Sequence, residues 1–104
     1  MDWNTPENMA LIQAILELKN PNEARRFLRD LMTEKEIKEF GKRFKAAVML
    51  SQNIPYSVIE NETGLSSTTV ARVSKWLNGR GGGYRSIIAR LHHRDLVPAG
   101  NGLH

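Results

Sequence analysis

Short hydroxylic side chains followed by long cations on one face of a helix suit the reading of a DNA groove, and residues 66–75 carry that order. Ser66, Ser67, Thr68 and Thr69 come first, Ala71 follows, and Arg72 and Lys75 lie a turn further on. Small side chains let a helix approach base edges closely, where hydroxyls bond several bases and methyl groups pack on thymine. The longer cations reach phosphates. Val70, Val73 and Leu77 recur at i, i+3 and i+7, which assigns them to the buried side. Ser67, Thr68, Ala71, Arg72 and Lys75 are then left facing outward. Tyr56 upstream and Arg80 downstream complete the expected set of DNA contacts, with Arg80 touching the backbone.

Other chemistries find less support. His92 and His93 are adjacent and point to different sides of a helix, and His104 lies in the tail. They lack the i, i+4 spacing of a chelating pair, and no metal is expected. The acid pairs Glu34/Glu36 and Glu60/Glu62 fall on helical surfaces near cations, where solvation is the expected fate and not general acid–base work. No Ser or Thr is grouped with a His as nucleophile and base. The loop Gly79-Arg80-Gly81-Gly82-Gly83 leads into a helix but lacks the Gly-Lys-Ser/Thr ending of a P-loop. It reads as a linker. Trp3 and Trp76 read as packing residues, Trp76 beside Leu77 at a helix or subunit seam. No catalytic residue and no cofactor is expected.

The elements that must position the reading face are all helical. Thr5-Pro6, and Asn20-Pro21 with Glu23, each offer an N-cap followed by proline at the first helical position. Thr33-Glu34-Lys35-Glu36 is a capping box, opening a helix that runs to about Ser51 with Ile37, Phe40, Phe44, Ala47 and Val48 as its stripe. Pro55 cannot continue that hydrogen-bond ladder. A short helix over about 56–63, a turn at Gly64 and a second helix over about 67–77 make a helix-turn-helix within 55–78. In it Gly64 supplies a positive φ, Leu65 plugs the corner, and Ser66 or Ser67 caps the second helix. A last helix covers Tyr84 to His92. One all-helical domain is expected over 1–96, with a flexible tail over 97–104.

The 104-residue chain has 40% hydrophobic and 25% charged residues and no cysteine, as for a single soluble domain without disulfides or thiolate zinc. It carries no span-length apolar run and no signal-peptide layout, so the cytoplasm is the expected compartment. Up to Glu62 there are nine Lys/Arg against ten Asp/Glu, and from Thr63 onward six against one. The net charge of +4 therefore belongs to the C-terminal part, and such a surface attracts polyanions. A helical protein-interaction or assembly module without DNA binding is the alternative reading, and an architectural or replication-related DNA binder is a further one.

The run from Thr33 through Leu91 resembles the Trp-repressor-like proteins, and more closely their YerC/YecD subgroup. The resemblance rests on the capping box, Gly41-Lys42-Arg43, Glu62-Thr63-Gly64, the stretch Ser67 to Val73, Leu77-Asn78 and Gly82-Gly83-Tyr84-Arg85. It implies an all-α homodimer of interlocked helices, acting as a transcriptional repressor on a palindromic operator. It also implies an effector pocket, to which Thr33, Arg43 and Arg72 correspond, with Thr69 matching a nearby threonine. The position that holds a glycine beneath the indole ring in the Trp repressor is Val73 here, so tryptophan is not expected as co-repressor.

Overall fold

Four helix starts among the described residues are fixed by side chains that take over free amides of the first turn. The computed structural model describes residues 1–94, so the expected tail over 97–104 lies outside the described residues. The described residues form six helices and no strand: α1 (Pro6–Leu16), α2 (Pro21–Leu31), α3 (Glu34–Ser51), α4 (Tyr56–Thr63), α5 (Ser67–Leu77) and α6 (Gly83–His93). The chain divides into two compact units, Met1–Ile37 and the part from Lys38 onward.

In the first unit, Thr5 Oγ1 accepts from the Asn8 amide at 3.2 Å and Asn20 Oδ1 from the Glu23 amide at 2.9 Å. Glu23 returns the bond, its carboxylate accepting from the Lys19 amide at 3.0 Å. Thr33 and Glu36 form the reciprocal box at 3.1 and 2.9 Å. Hydrogen bonding from Thr33, chiefly from its backbone amide and then from its side chain, holds the Glu36 carboxyl below its ordinary pKa. The starts thus behave as the sequence indicates, but the apolar stripes of α1 and α2 contain no buried residue. Met9, Ile12, Ile15 and Leu16 are all exposed, Leu16 by 75%.

The second unit holds the core. Ala46 and Ala47 of α3, Ile59 of α4, Leu65 in the turn, Val70, Val73 and Leu77 of α5, and Ile88 of α6 are buried together, with Phe44, Val48, Met49, Leu50, Ile54 and Tyr84 packed around them. α3 ends at Ser51, as its expected length requires, four residues before Pro55. Asn53 takes a left-handed φ of 61°. Its amide donates to Leu50 O at 3.0 Å, and the Ile54 amide donates to Met49 O at 3.1 Å. This is the Schellman arrangement, with asparagine where glycine is usual.

The α4–α5 joint is built from three consecutive residues. Gly64 has φ 74° and ψ 7°, and its amide donates to Glu60 O at 2.8 Å. Thr63 is buried; its hydroxyl donates to Ile59 O at 2.7 Å and accepts from the Leu65 amide at 3.2 Å. That bridge carries the chain past the turn and lets Leu65 enter the core, 7% exposed. A Cβ on Gly64 would meet no atom within 4 Å, so Gly64→Ala isolates the backbone term. It is expected to lower unfolding stability by about 1–2 kcal/mol, the cost of left-handed backbone for an L-residue. Urea denaturation checks this, and an unchanged midpoint would remove the turn from the account.

Candidate nucleic-acid interface

Burying Val70, Val73 and Leu77 fixes the rotation of α5, and the opposite side faces solvent. Ser66, Ser67, Thr68, Ala71, Arg72 and Lys75 are exposed and Thr69 is half-buried. The reading face anticipated from spacing is therefore on the surface. Tyr56 at the start of α4 and Arg80 in the loop after α5 are exposed as well.

The hydroxyls of this first turn divide into two groups. Ser66 is the N-cap: its Oγ accepts from the Thr69 amide at 3.2 Å and lies 3.0 Å from Thr69 Oγ1, forming a hydroxyl–hydroxyl hydrogen bond. Ser66 and Thr69 thus spend bonding capacity within the protein. Ser67 and Thr68 have no side-chain hydrogen bond to a described residue, and Arg72 and Lys75 have no ion pair with one. The outward hydroxyls and cations keep their bonding capacity, as a surface that meets an external partner requires. From Thr63 to Arg94 the chain contains no acid, so no carboxylate of this stretch offsets Arg72 or Lys75.

The residues matched to an effector pocket separate. Arg43, Thr69, Arg72 and Val73 line one cavity of about 120 Å³ together with Trp76 and Tyr84. This is small against the roughly 300–1,000 Å³ of pockets that enclose small molecules. Val73 is 4% exposed and forms part of the wall. Arg43 is already engaged, its Nε 3.3 Å from Glu39 Oε2 and its guanidinium 5.4 Å from the centre of the Phe40 ring. Thr33 is not among the lining residues, and its amide and hydroxyl close the capping box of α3.

Trp76 and Tyr84 are the wall residues that spacing did not single out for this cavity. Trp76 is 66% exposed, so within one chain it is not the packed residue expected from its place beside Leu77. With Phe44, Tyr84 and Ile87 it borders a second, wider apolar depression closed on one side by Gly81, Gly82 and Gly83. Tyr84 and Phe44 lie with ring centres 6.4 Å apart. Among the described residues no group of three or more His, Cys, Asp or Glu is placed to hold a metal ion, and no helix is long and apolar enough to cross a membrane.

Comparison with known proteins agrees with this arrangement. The family model described as Trp repressor protein matches residues 7–92. The uncharacterized protein YerC of Bacillus subtilis (strain 168) is 38% identical over 85 residues, which are 82% of this chain and 82% of YerC. The crystal structure of a TrpR-like protein from Eubacterium eligens ATCC 27750 is 38% identical, with a TM-score of 0.82 over 86% of this chain and 93% of that one. A candidate Trp repressor from Staphylococcus aureus is 33% identical, with a TM-score of 0.81 over 88% of this chain and 95% of its own. The chain, with its six helices and its α4–α5 helix-turn-helix, belongs to the Trp repressor protein family and within it resembles YerC.

Proposed function

We propose that this protein is a sequence-specific, double-stranded-DNA-binding transcriptional regulator, a cytoplasmic repressor that acts as a homodimer on a palindromic operator. One observation carries the reading: the first turn of α5 is exposed and built of small side chains, and its outward hydroxyls and following cations have no partner among the described residues. Ser67, Thr68 and Ala71 meet base edges in the major groove, while Arg72, Lys75 and Arg80 hold the phosphates. Tyr56, Ser66 and Thr69 border that contact. Regulation follows from occupancy, since a bound dimer excludes other proteins from the site, and no covalent step is involved.

The second copy answers a deficit in the single chain. α1 and α2 bury nothing, and Trp3, Ile15, Leu16, Trp76 and Ile87 are exposed. Each unit thus exposes apolar side chains that a partner could cover, and a two-fold dimer presents two copies of α5 to half-sites one helical turn apart. Sedimentation equilibrium at micromolar concentration is expected to return the mass of two chains; a single-chain mass would remove the dimer.

No effector is assigned. Val73 narrows the cavity and Glu39 occupies Arg43, so L-tryptophan is not the co-repressor. Calorimetric titration is expected to give no binding heat, and micromolar affinity would overturn this.

Selection of bound duplexes from a random pool is expected to return a two-fold symmetric motif. On that motif Thr68→Tyr should abolish specific binding while leaving the circular dichroism of the fold unchanged. Lys75→Ala should weaken binding to every sequence and flatten the log K against log salt slope by about one unit. Operator affinity undiminished in the tyrosine variant would exclude α5 as the reading helix, and affinity insensitive to salt would favour a protein-docking module instead.

A further inference from the structure

The outward face of α6 is the most one-sided charged surface outside the reading helix. Around this helix Ile88 is buried and Tyr84 and Leu91 are half-buried, with exposed Ile87 next to them. Every other position from Arg85 on, namely Arg85, Ser86, Ala89, Arg90, His92 and His93, together with Arg94 at the C-cap, is exposed. None is acidic. The small Ala89 forms, with Arg90, His93 and Arg94, a shallow depression whose rim carries only cationic or protonatable groups.

Helix electrostatics explain part of this and not the rest. Cations in the last turn are favoured by the helix dipole, which accounts for Arg90, His92 and His93. Arg85 stands in the first turn, where the exposed amides disfavour a cation and where an acid is the usual choice. Arg90 and Arg94 are four apart, a like-charge spacing that destabilises a helix. No ion pair involves Arg85, Arg90 or Arg94 among the described residues. Helix stability therefore does not account for Arg85, and an anion from outside would offset it as well as the repulsion between Arg90 and Arg94.

We infer that the outward face of α6 is a second, sequence-independent binding surface for the backbone phosphates of duplex DNA, engaging the flanks of the site that α5 reads. Length and continuity favour DNA over an isolated phosphate. Eleven helical residues span about 16 Å, against one phosphate every 3.4 Å along a strand. The acid-free stretch also runs unbroken from α5 through Arg80 to Arg94, and α6 packs against α5.

The inference rests on the DNA-binding reading above, and the test separates the two. The full chain and its Arg90→Ala/Arg94→Ala variant are titrated with two duplexes carrying the selected motif, one trimmed to the motif and one extended by arbitrary flanks. The variant is expected to bind the extended duplex about tenfold more weakly at low salt, with a slope about two units flatter. It should match the parent on the trimmed duplex and keep the same sequence preference. Arg90→Lys/Arg94→Lys should restore most of the affinity. Arg85→Ala should raise the melting midpoint of the free protein while weakening binding to the extended duplex. Equal affinity of parent and alanine variant on the extended duplex overturns the inference alone, as does a changed sequence preference. A parent chain that binds neither duplex overturns the underlying reading.

Discussion

The seating of α5 on the core is the constraint from which the rest follows. Val70, Val73 and Leu77 pack with Ala46, Ala47, Ile59 and Ile88, and a helix held along one stripe has no rotational freedom left. α3 contributes its two alanines, both fully buried, to that shared core. Once the stripe is fixed, the position of every other side chain of α5 around the helix is fixed with it. The proposed reading surface is therefore a by-product of packing, not a separately stabilised feature.

Much of this was legible in the sequence because it depends on local chemistry. Thr5, Asn20 and Thr33 act as caps through bonds that span three residues, and Gly64 takes the backbone conformation that its type permits. The exposed and buried sides of α5 follow from a spacing of three and four. What the sequence hid depends on partners further away. Asn53 ends α3 by adopting a conformation that asparagine adopts only sometimes, and Pro55 offered a louder signal two residues later. Thr63 reads as an ordinary helix residue, and only the turn geometry reveals that its hydroxyl satisfies both a carbonyl and an amide. The stripes of α1 and α2 have helical spacing, but spacing cannot say whether the surface that covers them belongs to the same chain.

The cavity beside α5 is walled by the protein's own side chains. Arg43, Thr69 and Arg72 are gathered around it, yet Val73 stands in its wall and Arg43 is turned toward Glu39 and Phe40. These contacts use the local stacking and ion-pairing capacity that a ligand would otherwise find.

Ser66 has a consequence beyond fastening the first turn. A serine satisfies the free amides without bringing negative charge, whereas aspartate there, or glutamate a residue or two further on, would make a firmer helix start. The chain forgoes that gain at the helix proposed above to meet a polyanion, as it does at α4 and α6, whereas it places acids in the first turns of α1, α2 and α3. Rigidity and affinity thus compete at a single position. A search for thermostable variants that ignored nucleic acid would be drawn to that position and would select proteins that fold better and repel the proposed target.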